Sequence, residues 1–317
     1  MDVDAVALGE KPANAKIANF IAYDTDETGV PYAGVIPVEK ALDPFGDAIL
    51  AYEMNGETLP RDHGYPIRLL APGHAGCRNV KWVQTIALTD EASELDSGSR
   101  LDRHFAPDIS WMAHKEHVAE ERCPERKGCT PCAQRVRTDQ GPVIQTLPIQ
   151  SIICVPGNRT TLSGNLDEIE VKGVAWSGAG RGVCRVEVSI DGGNTFTACE
   201  LRTAPRGSNP PPEAGQGRNH AWTQWEAVLK LPEDVKAELA SGNRSEVEIC
   251  CKAIDGDFNV QPERMSHGWN VLGICVNHWS RVQVKLDPSL PKETSRPAPA
   301  TPRPGSPYWG DGTHNKP

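Results

Sequence analysis

No window of the 317 residues approaches the roughly 20 consecutive apolar residues that a bilayer-crossing helix needs. Met1 to Glu10 carries Asp2, Asp4 and Glu10 and lacks the basic-then-apolar order of a secretory signal, so no secretory expectation arises. Basic residues are the minority, 33 Lys and Arg against 42 Asp and Glu, and the net charge of −9 argues against a general nucleic-acid binder. It does not exclude an anionic ligand, because a few clustered cations set their own local field. Aromatics are scarce at 6%, while there are 27 Pro and 29 Gly, which suits short strands joined by turns better than a helical bundle. No internal repeat is visible, nor any haem- or flavin-binding motif. Ten cysteines do not make a disulfide scaffold in a chain of this size, and several fall at core positions of expected strands, so buried free thiol is the reading.

What is present divides unevenly along the chain. Residues 1–106 read as an α+β segment, with strands around Ile67 to Leu70 and Val80 to Leu88 and a short helix start within Ile36 to Leu42. Residues 107–146 are a polar connector, the kind of segment that is usually an exposed loop. Residues 147–288 alternate with period two, the signature of half-buried strands. Cys184, Val186, Val188 and Ile190 form one inward set, alternating with Arg185, Glu187 and Ser189. Trp225, Ala227, Leu229 and Leu231 form a second, Val247, Ile249, Cys251 and Ala253 a third, and Val282, Val284 and Leu286 a fourth. Asp191-Gly192-Gly193 supplies a turn whose glycines tolerate positive φ. Several short strands at this spacing predict an all-β antiparallel sandwich. Residues 289–317 form a Pro-rich polar tail that cannot build a core.

The stretch richest in chemistry runs from Ala51 through Arg61-Asp62-His63-Gly64 to Arg68, and on through Gly76-Cys77-Arg78-Asn79-Val80-Lys81-Trp82. His63, Arg68, Arg78 and Lys81 are cationic or hydrogen-bonding groups on tight turns, and they could converge on an anion or phosphate. Residue types alone favour a solvated basic loop.

The order of these motifs changes that balance. Together with Tyr23-Asp24-Thr25-Asp26-Glu27-Thr28-Gly29-Val30-Pro31-Tyr32, they resemble the molybdopterin domain of the eukaryotic sulfite oxidase and assimilatory nitrate reductase family. Lys172-Gly173-Val174-Ala175-Trp176-Ser177-Gly178-Ala179-Gly180-Arg181, Asn259-Val260-Gln261-Pro262, Trp269-Asn270 and Trp279-Ser280-Arg281-Val282 resemble the family's dimerisation domain. The resemblance implies that 1–106 is part of a molybdopterin-binding domain and 147–288 an immunoglobulin-like sandwich. It also implies a Mo-molybdopterin cofactor, a homodimer, a small oxyanion substrate, an electron acceptor such as a haem protein, and a mitochondrial or cytoplasmic setting. Residue by residue, it implies pterin or phosphate contacts for Asp24, His63 and Arg68 and a wrapping run for Asn79, Val80 and Lys81.

Departures accompany the resemblance. The family's metal-ligating Cys lies upstream of the Asp24 motif, outside these residues, and Cys77 reads as a buried small side chain rather than a ligand; molybdenum of this type requires a soft thiolate. Arg100 to Pro107 has no active-site Tyr, and Leu272 stands where sulfite oxidases carry an oxyanion-binding Arg, which resembles nitrate reductases instead. Three readings remain open: an oxidoreductase fragment or subunit, a non-catalytic dimerising remnant, and a shortened form of an ordinary enzyme. In the connector, Cys129 and Cys132 have a zinc-like gap that Cys123 with His114 or His117 could complete. No second Cys-x-x-Cys follows, so an unliganded loop is the stronger reading. Asn158-Arg159-Thr160 and Asn243-Arg244-Ser245 match the glycosylation pattern but carry no weight without a secretory signal.

Overall fold

A computed structural model describes residues 14–26, 29–91, 102–104, 142–163, 167–202, 219–243, 245–265, 270 and 273–291. The connector cysteines, His114, His117, Leu272 and the Pro-rich tail lie outside these residues.

The first unit is built around β1 (Ile17–Thr25), flanked by β2 (Pro31–Pro37) and β7 (Val83–Thr89) in a three-stranded antiparallel sheet. Ala18, Phe20 and Ala22 alternate inward from β1 and meet Ile36, Leu69, Ala71 and Val80 in a small core. Two further pairs stand beside it: β3 (Ile49–Ala51) with β6 (Arg68–Leu70), and β4 (Glu53–Met54) with β5 (Glu57–Thr58). α1 (Val38–Leu42) forms inside the expected span and stops at Asp43, the residue before Pro44, where a proline disfavours helix. The described part of this unit is therefore mostly sheet, with less helix than an α+β reading implies. The strand expected from Val80 begins only at Val83, because Val80 is committed to the core and Trp82 takes a left-handed φ of 49°.

The second unit is two sheets over one core. β8 (Gln150–Val155), β10 (Glu168–Trp176), β13 (Glu200–Arg202) and β14 (Thr223–Lys230) form one, in the order β13-β14-β10-β8. β9 (Thr161–Ser163), β11 (Val183–Ser189), β12 (Thr197–Ala198), β15 (Glu246–Asp255) and β16 (Ser280–Asp287) form the other, in the order β12-β11-β15-β16-β9. α2 (Glu233–Ala240) adds Val235 and Leu239 to the core. The alternating sets fill this core largely as expected: Val186, Val188, Trp225, Leu229, Val247, Ile249, Cys251, Val284 and Leu286 are all buried.

Two residues of these sets do otherwise. Cys184 was expected inward but is exposed, because the register between β11 and β15 shifts between Val183 and Arg185. Ser189 was expected outward but is buried, its Oγ accepting from the Gly193 amide at 2.9 Å inside the Asp191-Gly192-Gly193 turn. Both glycines there have positive φ, 76° and 96°.

Gly173 has no room for a side chain. A Cβ there would fall 2.3 Å from the Trp225 ring and 2.1 Å from the Ile152 carbonyl oxygen, so the glycine seats the largest buried side chain of the sandwich.

A short stretch, residues 142–147, stitches the two units together. Ala75 N donates to Gln145 O (2.8 Å) and Leu147 N to Gly73 O (3.0 Å). The wholly buried Arg78 donates through Nε to Ile144 O (2.8 Å). Gly178 N donates to Leu147 O at 3.0 Å, and a Cβ at Gly178 would lie 2.1 Å from that oxygen. This end of the expected exposed connector is thus an anchor, with Ile144 buried.

Asp255 pins the same place from inside the sandwich. Its carboxylate, fully buried, accepts from Ser177 Oγ (2.7 Å), Arg181 Nε (2.8 Å), Asn259 Nδ2 (3.0 Å) and the amides of Asp257 and Asn259 (3.0 Å each). Arg181 in turn donates through a second nitrogen to Leu147 O at 3.1 Å.

His74 sits in this seam, buried, with Lys40 donating to Pro72 O beside it and His220 lying 3.6 Å from Asp47. Burial, then the nearby Lys40, Arg78 and His220, push the imidazole down to about 4 against a hydrogen bond to Pro72. Its folded pKa lies below the unfolded value near 6.5, so the unfolded chain binds the extra proton between them. The stability this neutral imidazole contributes is present above pH 6.5 and is lost as pH falls toward 4, by on the order of 2 kcal/mol. Urea unfolding of wild type and His74→Gln at pH 4.5 and 7 checks this: the acid loss should shrink by that amount in the variant, and equal losses would refute it.

Candidate functional site

The loops on either side of β6 carry the candidate residues. Pro60 leads into a single 3-10 turn at Arg61–His63, and Gly64 closes it with a φ of 111° that only glycine adopts readily. A side chain at Gly64 would also meet Arg68 Cβ at 3.0 Å and Lys81 Cβ at 3.1 Å, so the two cations flank this glycine. Arg68 donates to His63 O at 3.0 Å and Lys81 Nζ to Asp62 O at 2.9 Å. Trp82 Nε1 donates to Arg61 O at 2.8 Å, and the Lys81 ammonium stands 4.3 Å from the Trp82 ring. Tyr23 N donates to Trp82 O at 2.9 Å, bringing the exposed Asp24 at the end of β1 beside this group. Of the expected residues, His63, Arg68 and Lys81 come together, and Asp24 approaches them through the backbone.

The other expected residues serve the fold. The Asn79 carboxamide accepts from Ala71 N at 2.7 Å and donates to Ala75 O at 3.3 Å, so its side chain shapes the turn. Val80 is buried in the core and its carbonyl is taken by Leu69 N at 2.8 Å. Arg78, grouped by residue type with the candidate cations, leaves them: it is 0% exposed and turned into the seam. Sequence reasoning missed Arg61, Gly64 and Trp82 as parts of this surface. The Gly after His63 was its one legible sign.

The electrostatics of the cluster differ from those of the sandwich. Among the described residues no carboxylate lies within ion-pair distance of Arg61, His63, Arg68 or Lys81, whereas most sandwich cations are paired, as Lys172 is with Glu170 at 2.7 Å. Burial lowers the pKa of Arg68, and its Nε is buried with no hydrogen-bond partner among the described residues. A partly desolvated guanidinium with an idle donor, beside an ammonium, fits an anionic group such as a phosphate.

No described thiol of resolved pKa is poised as a thiolate. Burial pushes Cys77 up to about 12, Cys275 to about 11, and Cys199 and Cys251 to about 12, and it also raises Cys250. Cys77 hydrogen-bonds toward Asp102, and Tyr32 donates to its carbonyl at 2.6 Å. Among the described residues no group of three His, Cys, Asp or Glu is placed to hold a metal ion, and no helix is long and apolar enough to cross a membrane.

Comparison with known proteins accounts for both units. Residues 3–95 match the oxidoreductase molybdopterin binding domain, and residues 141–287 match the Mo-co oxidoreductase dimerisation domain. The chain is 36% identical over 280 residues to mitochondrial sulfite oxidase of Drosophila melanogaster, covering 88% of this chain and 43% of that one. It is 38% identical over 264 residues to sulfite oxidase of Gallus gallus, covering 83% and 48%. With NADH nitrate reductase of Spinacia oleracea it shares 32% over 266 residues, covering 81% and 25%. The fold is similar to that of the sulfane dehydrogenase SoxCD of Paracoccus pantotrophus, with a TM-score of 0.55 and 23% identity over 88% of this chain and 60% of that one. The chain spans less than half the length of the sulfite oxidases of Drosophila and Gallus. Carrying both domain matches in this order, the chain belongs to the sulfite oxidase and nitrate reductase family of molybdopterin oxidoreductases.

Proposed function

We propose that residues 1–317 supply one side of a molybdopterin site together with a homodimer contact, for oxygen-atom transfer to or from a small oxyanion. Sulfite oxidation is the favoured reaction. The observation that carries the binding reading is the Arg68 Nε, without a hydrogen-bond partner among the described residues, beside Lys81 and His63, with no described carboxylate within ion-pair distance of the three. Arg68 and Lys81 would hold the cofactor's phosphate, His63 would line the same edge, and Asp24 would accept from the pterin ring nitrogens. Asn79 and Val80 would act through the backbone shape they impose. The cofactor, when bound, supplies the metal at which oxygen is exchanged. What these residues contribute is charge, orientation and exclusion of water from the phosphate.

The rest of the reading follows from resemblance. The sandwich is read as immunoglobulin-like, 1–106 and 147–288 as the two domains, and the acceptor as a haem protein. A nitrate-reductase-like activity is the second reading, favoured by Leu272 in place of an oxyanion-binding Arg. A dimerising remnant without catalysis is the third.

The test measures pterin carried by the purified chain from a host that makes the cofactor, released and oxidised to its fluorescent form. Each charge-assisted contact contributes about 1.5–3 kcal/mol, so Arg68→Ala and Lys81→Ala should each lower pterin content about tenfold or more at limiting cofactor. Equal recovery from wild type and the double variant would remove the reading.

A further inference from the structure

Each unit contributes a histidine to the seam between them. His74, on the loop after β6, is buried; it forms a backbone bridge to Thr146, and its amide donates to Ala71 O at 3.1 Å. His220, just before β14, is carried by the bridge between Arg181 and Asn219, where Asn219 N donates to Gly180 O at 2.9 Å. Its ring lies against Gly73: a Cβ there would fall 3.0 Å from His220 Nδ1 and Cε1 and 2.8 Å from Ala179 N. The sandwich thus sets one imidazole against the residue preceding the other.

The surroundings of His74 are cationic. Lys40 from α1, Arg78 from the Gly76–Arg78 turn and His220 from the sandwich all disfavour a charge on its ring. The carboxylates of this region are engaged elsewhere or wet. Asp102 bonds toward Cys77, Asp255 holds Arg181, and Asp47, 3.6 Å from His220, is 55% exposed. Pro142 to Leu147, packed across from His74, has no ionisable side chain. A proton on His74 therefore adds a positive charge to a dry group of cations.

What that charge would push against is slight. The stitch beside His74 rests on a few backbone bonds, Ala75 N to Gln145 O and Leu147 N to Gly73 O among them. The core cluster of the sandwich and that of the first unit share no residue. Each unit keeps its own core if the seam parts, the condition for a local opening rather than global unfolding.

We propose that His74, faced by His220, is a proton-operated latch: protonation of His74 parts the stitch between the units while the sandwich core stays folded. Opening uncouples the loops that carry His63, Arg68 and Lys81 from the sandwich, whatever those loops bind. In the open seam the imidazole titrates near its ordinary value of about 6.5, in the closed seam near 4. The closed state is thus favoured above pH 6.5 and loses ground as pH falls. Between pH 7 and pH 5 the ratio of open to closed should rise about 20-fold.

The experiment is amide hydrogen exchange of the full chain at both pH values, each rate referred to that of an unstructured peptide at the same pH, with and without about 1 M urea. The Ala75 and Leu147 amides should be at least about tenfold less protected than those of β10 and β14 and nearly indifferent to urea, since a parted seam exposes little surface. Their protection should fall about 20-fold from pH 7 to pH 5, and less than about threefold in His74→Gln. His220→Gln should give a fall between the two. The latch is overturned if Ala75 and Leu147 share the protection and urea dependence of β10 and β14, because the seam then opens only with the whole molecule. It is also overturned by a wild-type fall below about threefold, or by an equal fall in His74→Gln. A fall in His220→Gln equal to that of wild type would remove His220 from it.

Discussion

Asp255→Ala should cost the protein about 3–5 kcal/mol of stability, the range for breaking a buried charge pair by removing one partner. The carboxylate is wholly buried and takes hydrogen bonds from two side chains of the Trp176–Arg181 segment and from the Asn259 turn. Burial alone would raise its pKa, but bonds from Asn259, Ser177 and Arg181 outweigh this and hold it below the usual carboxylate range. Without the carboxylate, the Arg181 guanidinium, the Ser177 hydroxyl and two amides lose their acceptor together. For a unit of this size the melting temperature should fall on the order of 10 °C. Asp255→Asn keeps an acceptor and should lose less than half as much. Urea or thermal unfolding of the two variants decides; a loss below about 1 kcal/mol for Asp255→Ala would show that the network is not cooperative.

The second large effect concerns catalysis. Expressed in a cofactor-making host, residues 1–317 should carry well under one molybdenum per chain and turn over neither sulfite nor nitrate. This expectation follows from the resemblance described above, which sets the family's metal-anchoring thiolate upstream of the Asp24 motif. Cys77, the nearest thiol in sequence to Lys81, is held protonated by burial and faces Asp102. Molybdenum analysis and steady-state assays with both anions measure this. Stoichiometric metal with sustained turnover would refute it and make Cys77→Ala the next variant to assay. The expectation is compatible with pterin bound through Arg68 and Lys81, since a phosphate grip needs no metal.

The sandwich was readable in advance because its chemistry is repetitive. A period-two pattern leaves one face apolar, and β10, β11, β14, β15 and β16 each obey it over several residues. Cys184 broke the pattern because a bulge adds one residue on one strand, and nothing in residue type announces that. The site was half legible. Ordered motifs pointed to His63, Arg68 and Lys81, which do cluster. Residue type equally pointed to Arg78, whose burial depends on Ile144, a residue 66 positions away. Contacts of that range have no local signature. The same holds for Gly173 and Gly178, which read as motif letters until Trp225 and Leu147 are seen to occupy the space a side chain would need.

The stitch at residues 142–147 has a bearing on how the protein tolerates cleavage. These residues follow the connector in the chain, yet they bond to Gly73, Ala75 and Arg78, which precede it. A backbone cut anywhere from 105 to 141 therefore leaves the downstream piece still holding its own hook into the upstream one. The nicked molecule is then a non-covalent complex of two fragments, joined at this stitch, and the loops that carry His63, Arg68 and Lys81 stay tethered to the sandwich without a continuous backbone between them.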